Sequence, residues 1–235
     1  MGQILIIYRC DLGLALLNGS DHVFYRQPLE PMIGFPEKIL PVNVDERHSL
    51  AIIKWIEDTD DGLAEVWLVM TNFCSLVNLA TQTERLIRPE LIYETMIAVI
   101  YRLLEMDFAG GSFNETVRQG LLAFSYHAFL QWQDTRPLFR RFPSMYKKCL
   151  LGSQTNHRVS PVLMLWLLMT GAMSLFNISD EQWLIEELRK YVNICQIRSW
   201  KDMRDVLKTY MWIALLDDDP GEKILNVIVP ETTTL

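Results

Sequence analysis

The stretch Ser160-Pro161-Val162-Leu163-Met164-Leu165-Trp166-Leu167-Leu168-Met169-Thr170-Gly171-Ala172 decides the fold. From Val162 to Met169 every residue is a large apolar one, and the wider segment from Val159 to Ser179 carries no charge. Ser160 is a strong N-cap residue and Pro161 suits the first helical position, so the run reads as a helix with a defined start. A helix that is apolar all round lies either at the centre of a globular protein or in a bilayer, and the segment is long enough for either. Thr170, Ser174 and Asn177 dilute its second half, no strongly basic flank follows, and Asp180-Glu181 come directly after. These features favour a buried central helix over a membrane span at residues 159–179.

Downstream, Ser179-Asp180-Glu181-Gln182 has the form of a capping box opening a helix through Trp183, Leu184, Leu188 and Val192. Ser199 caps the next, with Trp200, Met203, Leu207, Tyr210 and Met211 on one face. Asp217-Asp218-Asp219-Pro220-Gly221 reads as a turn that ends it, and Glu222 to Val229 as a short final helix. The tail from Pro230 is polar.

Upstream, Gly152 to Arg158 marks a change in packing but no linker. Arg136 to Cys149 is basic, with Phe139, Phe142 and Tyr146 interleaved. It reads as an amphipathic helix broken near Pro143, aromatics inward and bases outward. Ser112-Phe113-Asn114-Glu115 is a second capping box, opening a helix to about Trp132. Before it, Ala109-Gly110-Gly111 ends a helix from Pro89 to Met106. There Leu91, Ile92, Met96, Val99, Ile100, Leu103 and Leu104 recur at steps that place them on one face.

Helices are also expected from about Leu63 to Leu86 and from Glu46 to Asp58. Another is expected over residues 3–17, where Leu12, Leu14, Leu16 and Leu17 continue the apolar pattern to Asn18-Gly19. Residues 26–43 form a loop, because Pro28, Pro31, Pro36 and Pro41 remove amide donors. The whole reads as one all-α, multi-helical globular domain spanning 1–235, with about eight to ten helices and one Pro-rich loop.

Composition excludes several functions. The chain has 235 residues, half of them apolar, and a net charge of −7. An acidic chain has no excess of Lys and Arg to neutralise phosphates, so direct nucleic-acid binding is not expected. Cys10, Cys74, Cys149 and Cys195 lie too far apart for a zinc motif and are too few for a disulfide scaffold, so they read as reduced, mostly buried thiols. The N-terminus lacks a basic n-region and a long apolar run, so no signal peptide is expected, and Ile6 breaks the myristoylation pattern after Met1-Gly2.

No phosphate-binding loop, G-x-S-x-G or H-E-x-x-H occurs. His22, His48, His127 and His157 are isolated. Of these His127 is the best candidate for a site, because it sits among Phe124, Tyr126 and Phe129, although a lone helix histidine more often serves packing. Asp217 to Asp219 could hold a cation but read as a solvated turn, as do Asp60-Asp61. The tryptophans could wall a metabolite pocket and more often form core. No residue is assigned to catalysis, a cofactor or a metal.

One pattern reaches beyond architecture. Ser160-Pro161 leads to Leu165-Trp166-Leu167-Leu168-Met169-Thr170-Gly171-Ala172, then Ser179-Asp180-Glu181-Gln182-Trp183-Leu184. Ser199-Trp200 follows, then Val206-Leu207-Lys208, Met211-Trp212 and Asp219-Pro220-Gly221. This order resembles the C-terminal part of the fungal-specific transcription factor domain, the helical regulatory region of binuclear-zinc-cluster regulators. Asp11 to Ser20 and the Pro-rich loop resemble its earlier part, and residues 160–221 carry the resemblance most specifically. It implies a non-enzymatic, nuclear regulatory domain (otherwise cytoplasmic) that meets protein partners or a small-molecule effector. The six-cysteine cluster by which such regulators read DNA is not matched here, and neither is the family's aromatic shortly after the Pro-Gly turn, where Glu222 to Leu225 stand.

Overall fold

The computed structural model describes residues 2–18, 59–130, 141–154 and 156–229. The expected loop at 26–43, the helix at 46–58, Trp132, residues 136–140 and the tail from Pro230 lie outside the described residues. Every regular element described is helical: α1 (Gly2–Asn18), α2 (Asp61–Gln82), α3 (Pro89–Glu105), α4 (Phe113–Ser125), α5 (Arg141–Ser153), α6 (Pro161–Ser174), α7 (Gln182–Ile194), α8 (Trp200–Leu207) and α9 (Ala214–Ile228). A π-helical turn, Tyr126–Leu130, continues α4.

The centre is α6. Ser160 Oγ accepts the Leu163 amide at 3.1 Å and Pro161 occupies the first turn, as the sequence requires. Every residue from Leu163 to Ser174 is buried. α4, α5, α7, α8 and α9 all touch this helix. Fourteen residues of α-helix are about 21 Å long, shorter than a bilayer core. Trp166 anchors the packing. Its ring lies 5.6 Å from Trp67, 6.0 Å from Phe124 and 5.9 Å from Tyr210, and Nε1 donates to the Met211 carbonyl at 2.9 Å. Backbones come close here: a Cβ at Gly120 of α4 would overlap the Leu167 side chain and stand 3.2 Å from Trp166. α2 is the helix among those described that is long and apolar enough to cross a membrane, and half of its most apolar window is buried.

The other helices follow their periodicity. In α3, Met96, Val99, Ile100 and Leu103 are buried, while Leu91, Ile92 and Leu104 are half-buried. In α1, Leu12 and Leu16 are buried but Leu14 is exposed, and the buried Asp11 carboxylate accepts the Tyr101 hydroxyl at 2.7 Å. Asp60 and Asp61 are exposed, as expected, and the Asp60 carboxylate also caps α2 by accepting the Gly62 and Leu63 amides. α5 buries Phe142 and Tyr146 and exposes Arg141 and Lys148. It is not broken at Pro143, which sits in the first turn, where no amide donor is required.

Several expectations at helix ends are revised, including the end of α2, which falls at Gln82 and not near Leu86. Ser179 opens no capping box, because α7 starts at Gln182 with Glu181 as N-cap. The neighbouring carboxylates are engaged elsewhere: Asp180 accepts the Asn177 amide, and Glu181 accepts Trp183 Nε1 and Lys147. α8 ends at Leu207, so Tyr210 and Met211 lie beyond it. Ser112 does cap α4 through the Glu115 amide at 3.1 Å, but the Glu115 side chain turns to Arg118 and Gln119 instead of completing the box. Finally, Asp217 to Gly221 is no turn; it lies inside α9, with Pro220 in the helix interior.

Candidate functional site

The π-helical turn carries His127, and α9 carries Asp217 ninety residues away; their side chains meet, with Nε2 and Oδ1 2.8 Å apart. Asp217 is fully buried and His127 is about nine-tenths buried. The inserted residue of a π turn shifts the positions that follow, and such turns recur where a side chain must be re-aimed.

The second carboxylate oxygen of Asp217 accepts the Ile213 amide at 2.6 Å. Ile213 is the N-cap of α9, and its apolar side chain cannot cap. Two side chains satisfy the start of the helix instead. Asp217 takes the Ile213 amide, and Asn78 of α2 takes the Ala214 amide at 2.9 Å while donating to the Trp212 carbonyl at 2.7 Å. Next to them, burial pushes the Cys74 thiol well above its usual range, and the Asp217 carboxylate adds to the effect.

This arrangement has two parts of a nucleophilic triad, an imidazole and the carboxylate that orients it. Among the described residues the neighbouring candidate for the third is Cys74, whose raised pKa disfavours the thiolate that would attack. The carboxylate is also committed to the start of α9. What the group does is join three elements: the π turn, α2 and α9.

The cation reading of Asp217 to Asp219 fails on geometry. Asp217 points inward to His127, and Asp218 accepts Trp212 Nε1 at 2.8 Å and Arg204 Nη1 at 3.5 Å, while Asp219 is exposed. Among the described residues no three His, Cys, Asp or Glu side chains converge on a point that could hold a metal ion. His157 is exposed on the turn before α6, and His22 and His48 lie outside the described residues. The four cysteines are free thiols as expected, but only Cys74 is fully buried; Cys149 and Cys195 are half-buried and Cys10 is exposed.

A second polar joint lies between α3 and α4. Glu115 holds Arg118 through two bonds, 2.7 Å from Nε and 2.8 Å from Nη2, and accepts Gln119 Nε2 at 2.7 Å. Arg118 Nη1 donates to the Leu103 carbonyl near the end of α3. The i, i+3 and i, i+4 spacing of Glu115, Arg118 and Gln119 is a signal legible in the sequence beyond the cap. Arg118 and Gln119 edge a cleft of about 140 Å³ walled by Leu16, Leu104, Leu122 and Phe142. The volume falls below the roughly 300 Å³ at which small-molecule pockets begin. The unpartnered Gln119 Oε1 is sealed from it by burial.

No family model, curated protein or solved structure matches this chain.

Proposed function

We propose that this chain is a non-enzymatic helical regulatory domain of the kind its C-terminal pattern resembles, acting in transcription through contacts with other proteins and not by reading DNA. The observation that carries this reading is the use of the buried ionisable groups. His127, Asp217 and Asn78 join helices, and burial holds the pKa of the thiol beside them well above its usual range. The residues behind the resemblance also touch one another: Trp166 bonds to Met211, Trp212 bonds to Asp218, and Trp200 packs on Trp212 at 6.0 Å. That supports a reading in which residues 160–221 are one framework. Against DNA reading stand the net charge of −7 and the burial of Phe142 and Tyr146, which leaves no aromatic of α5 to stack on bases beside Arg141 and Lys148.

The test is a tethering experiment. Fused to an unrelated sequence-specific DNA-binding domain, the chain is expected to change reporter transcription several-fold. The unfused chain is expected to give only weak, salt-sensitive mobility shifts. A fusion that accumulates in the nucleus and leaves the reporter unchanged overturns the proposal, as does nanomolar, sequence-selective binding by the unfused chain.

A further inference from the structure

The connection between α2 and α3 is a rigid turn that presents a leucine to solvent. Glu84 adopts a left-handed conformation, φ 53°, which is strained for a non-glycine residue. The turn is held by the Arg85 amide donating to the Ala80 carbonyl at 2.9 Å and the Glu84 amide to Thr81 at 3.3 Å. At its tip Leu86 is 100% exposed, while Ile87 beside it is half-buried and anchors the turn. Arg85 and Arg88 flank the leucine, and among the described residues neither guanidinium has a hydrogen-bond or ion-pair partner. Covering an exposed apolar side chain is favourable, and a pre-ordered anchor keeps the entropy cost of binding low.

The complementary chemistry lies on α9. Leu215 is 70% exposed and Leu216 40%. Asp219 and Glu222 follow Leu215 at i+4 and i+7, so the three share one solvent face, and both carboxylates are exposed. Each patch has one minority charge, Glu84 on the turn and Lys223 on α9. The two patches sit at the same end of the bundle, because Asn78, one turn before the end of α2, is bonded to Trp212 and Ala214 at the start of α9. Two surfaces of opposite character on one end of a molecule suit a two-fold pair, in which each copy offers both and each contact is made twice.

We infer that a second copy of this chain docks at this end, the Leu86 turn of each copy lying against Leu215 and Leu216 of its partner, with Arg85 and Arg88 facing Asp219 and Glu222. An anionic bilayer is the other surface that would take an apolar tip between two arginines. It is disfavoured because two cations beside Glu84 fall short of a polybasic patch and the acidic residues of α9 at the same end would repel it.

The test is sedimentation velocity of the full chain over a concentration series. The wild type is expected to form a dimer that weakens towards 1 M salt, where charges are screened beyond about 3 Å. Arg85→Glu/Arg88→Glu and Asp219→Lys/Glu222→Lys are each expected to be monomeric, since each then sets like charges against one another. Mixing the two variants is expected to restore a dimer, because both cross-contacts are again between opposite charges. A wild type that stays monomeric up to several hundred micromolar overturns the inference, as does a dimer indifferent to both reversals or a mixture that fails to associate. A monomer that instead binds phosphatidylserine vesicles through Arg85 and Arg88 overturns it in favour of the bilayer.

Discussion

α6 and α9 lie against each other in the core and are seated by opposite means. α6 has no charge and no exposed face beyond its first turn; shape and dispersion hold it, with Trp166 and Leu167 filling space against α4 and α2. α9 buries Asp217, Gly221, Ile224, Leu225 and Ile228, and its start depends on Asn78 and on the Asp217–His127 pair. Only at Gly221 is its fit as tight as that of α6, since a Cβ there would come 2.6 Å from the Trp200 ring. An apolar seat tolerates damage in proportion to the volume lost. A polar seat fails when one partner goes, because the group left behind is buried without water.

Substitutions can break or sharpen that contrast. The largest effect is expected from Leu168→Asp, which places an unpaired carboxylate in the α6 seat at a cost of about 5 kcal/mol or more. Such a loss matches the whole stability of a marginal domain, so urea titration should show no cooperative transition. Asp217→Ala comes next, at about 3–5 kcal/mol by chemical denaturation, because it takes a buried partner from His127 and leaves the buried Ile213 amide unsatisfied. A loss below about 1 kcal/mol would mean that α9 is held by its apolar face alone. Gly120→Ala adds one methyl against Leu167 and Trp166 and should cost about 1–3 kcal/mol in urea titrations. The smallest effect belongs to Ser160→Ala, which removes the cap of α6 and an exposed hydrogen bond to the Tyr210 hydroxyl, about 1 kcal/mol in thermal melts.

The same contrast explains what could be read in advance. The all-helical fold and the burial of residues 163–174 follow from local signals: a cap, a proline at the first position and an apolar run. α9 was misread because its local signals are those of a turn. Three aspartates followed by Pro220-Gly221 point to solvent unless a partner distant in sequence removes one of them. That partner, His127, is ninety residues away, and no periodicity announces it. His127 was singled out for its aromatic neighbours, but its actual role needed both residues in one place. The expected box at Ser179 failed similarly, because Glu181 is drawn to Lys147 and Trp183 by tertiary packing.

The account rests on the claim that the His127–Asp217 pair is a joint that fastens α9 and not a piece of chemistry. Native-state hydrogen exchange on Asp217→Ala, compared with the unaltered chain, tests this most directly. The account predicts that amides of α9 lose protection while those of α6 keep protection close to the reduced global stability, so that α9 opens first as a separate unit. Equal loss of protection in α6 and α9, or undiminished protection in α9, would contradict it.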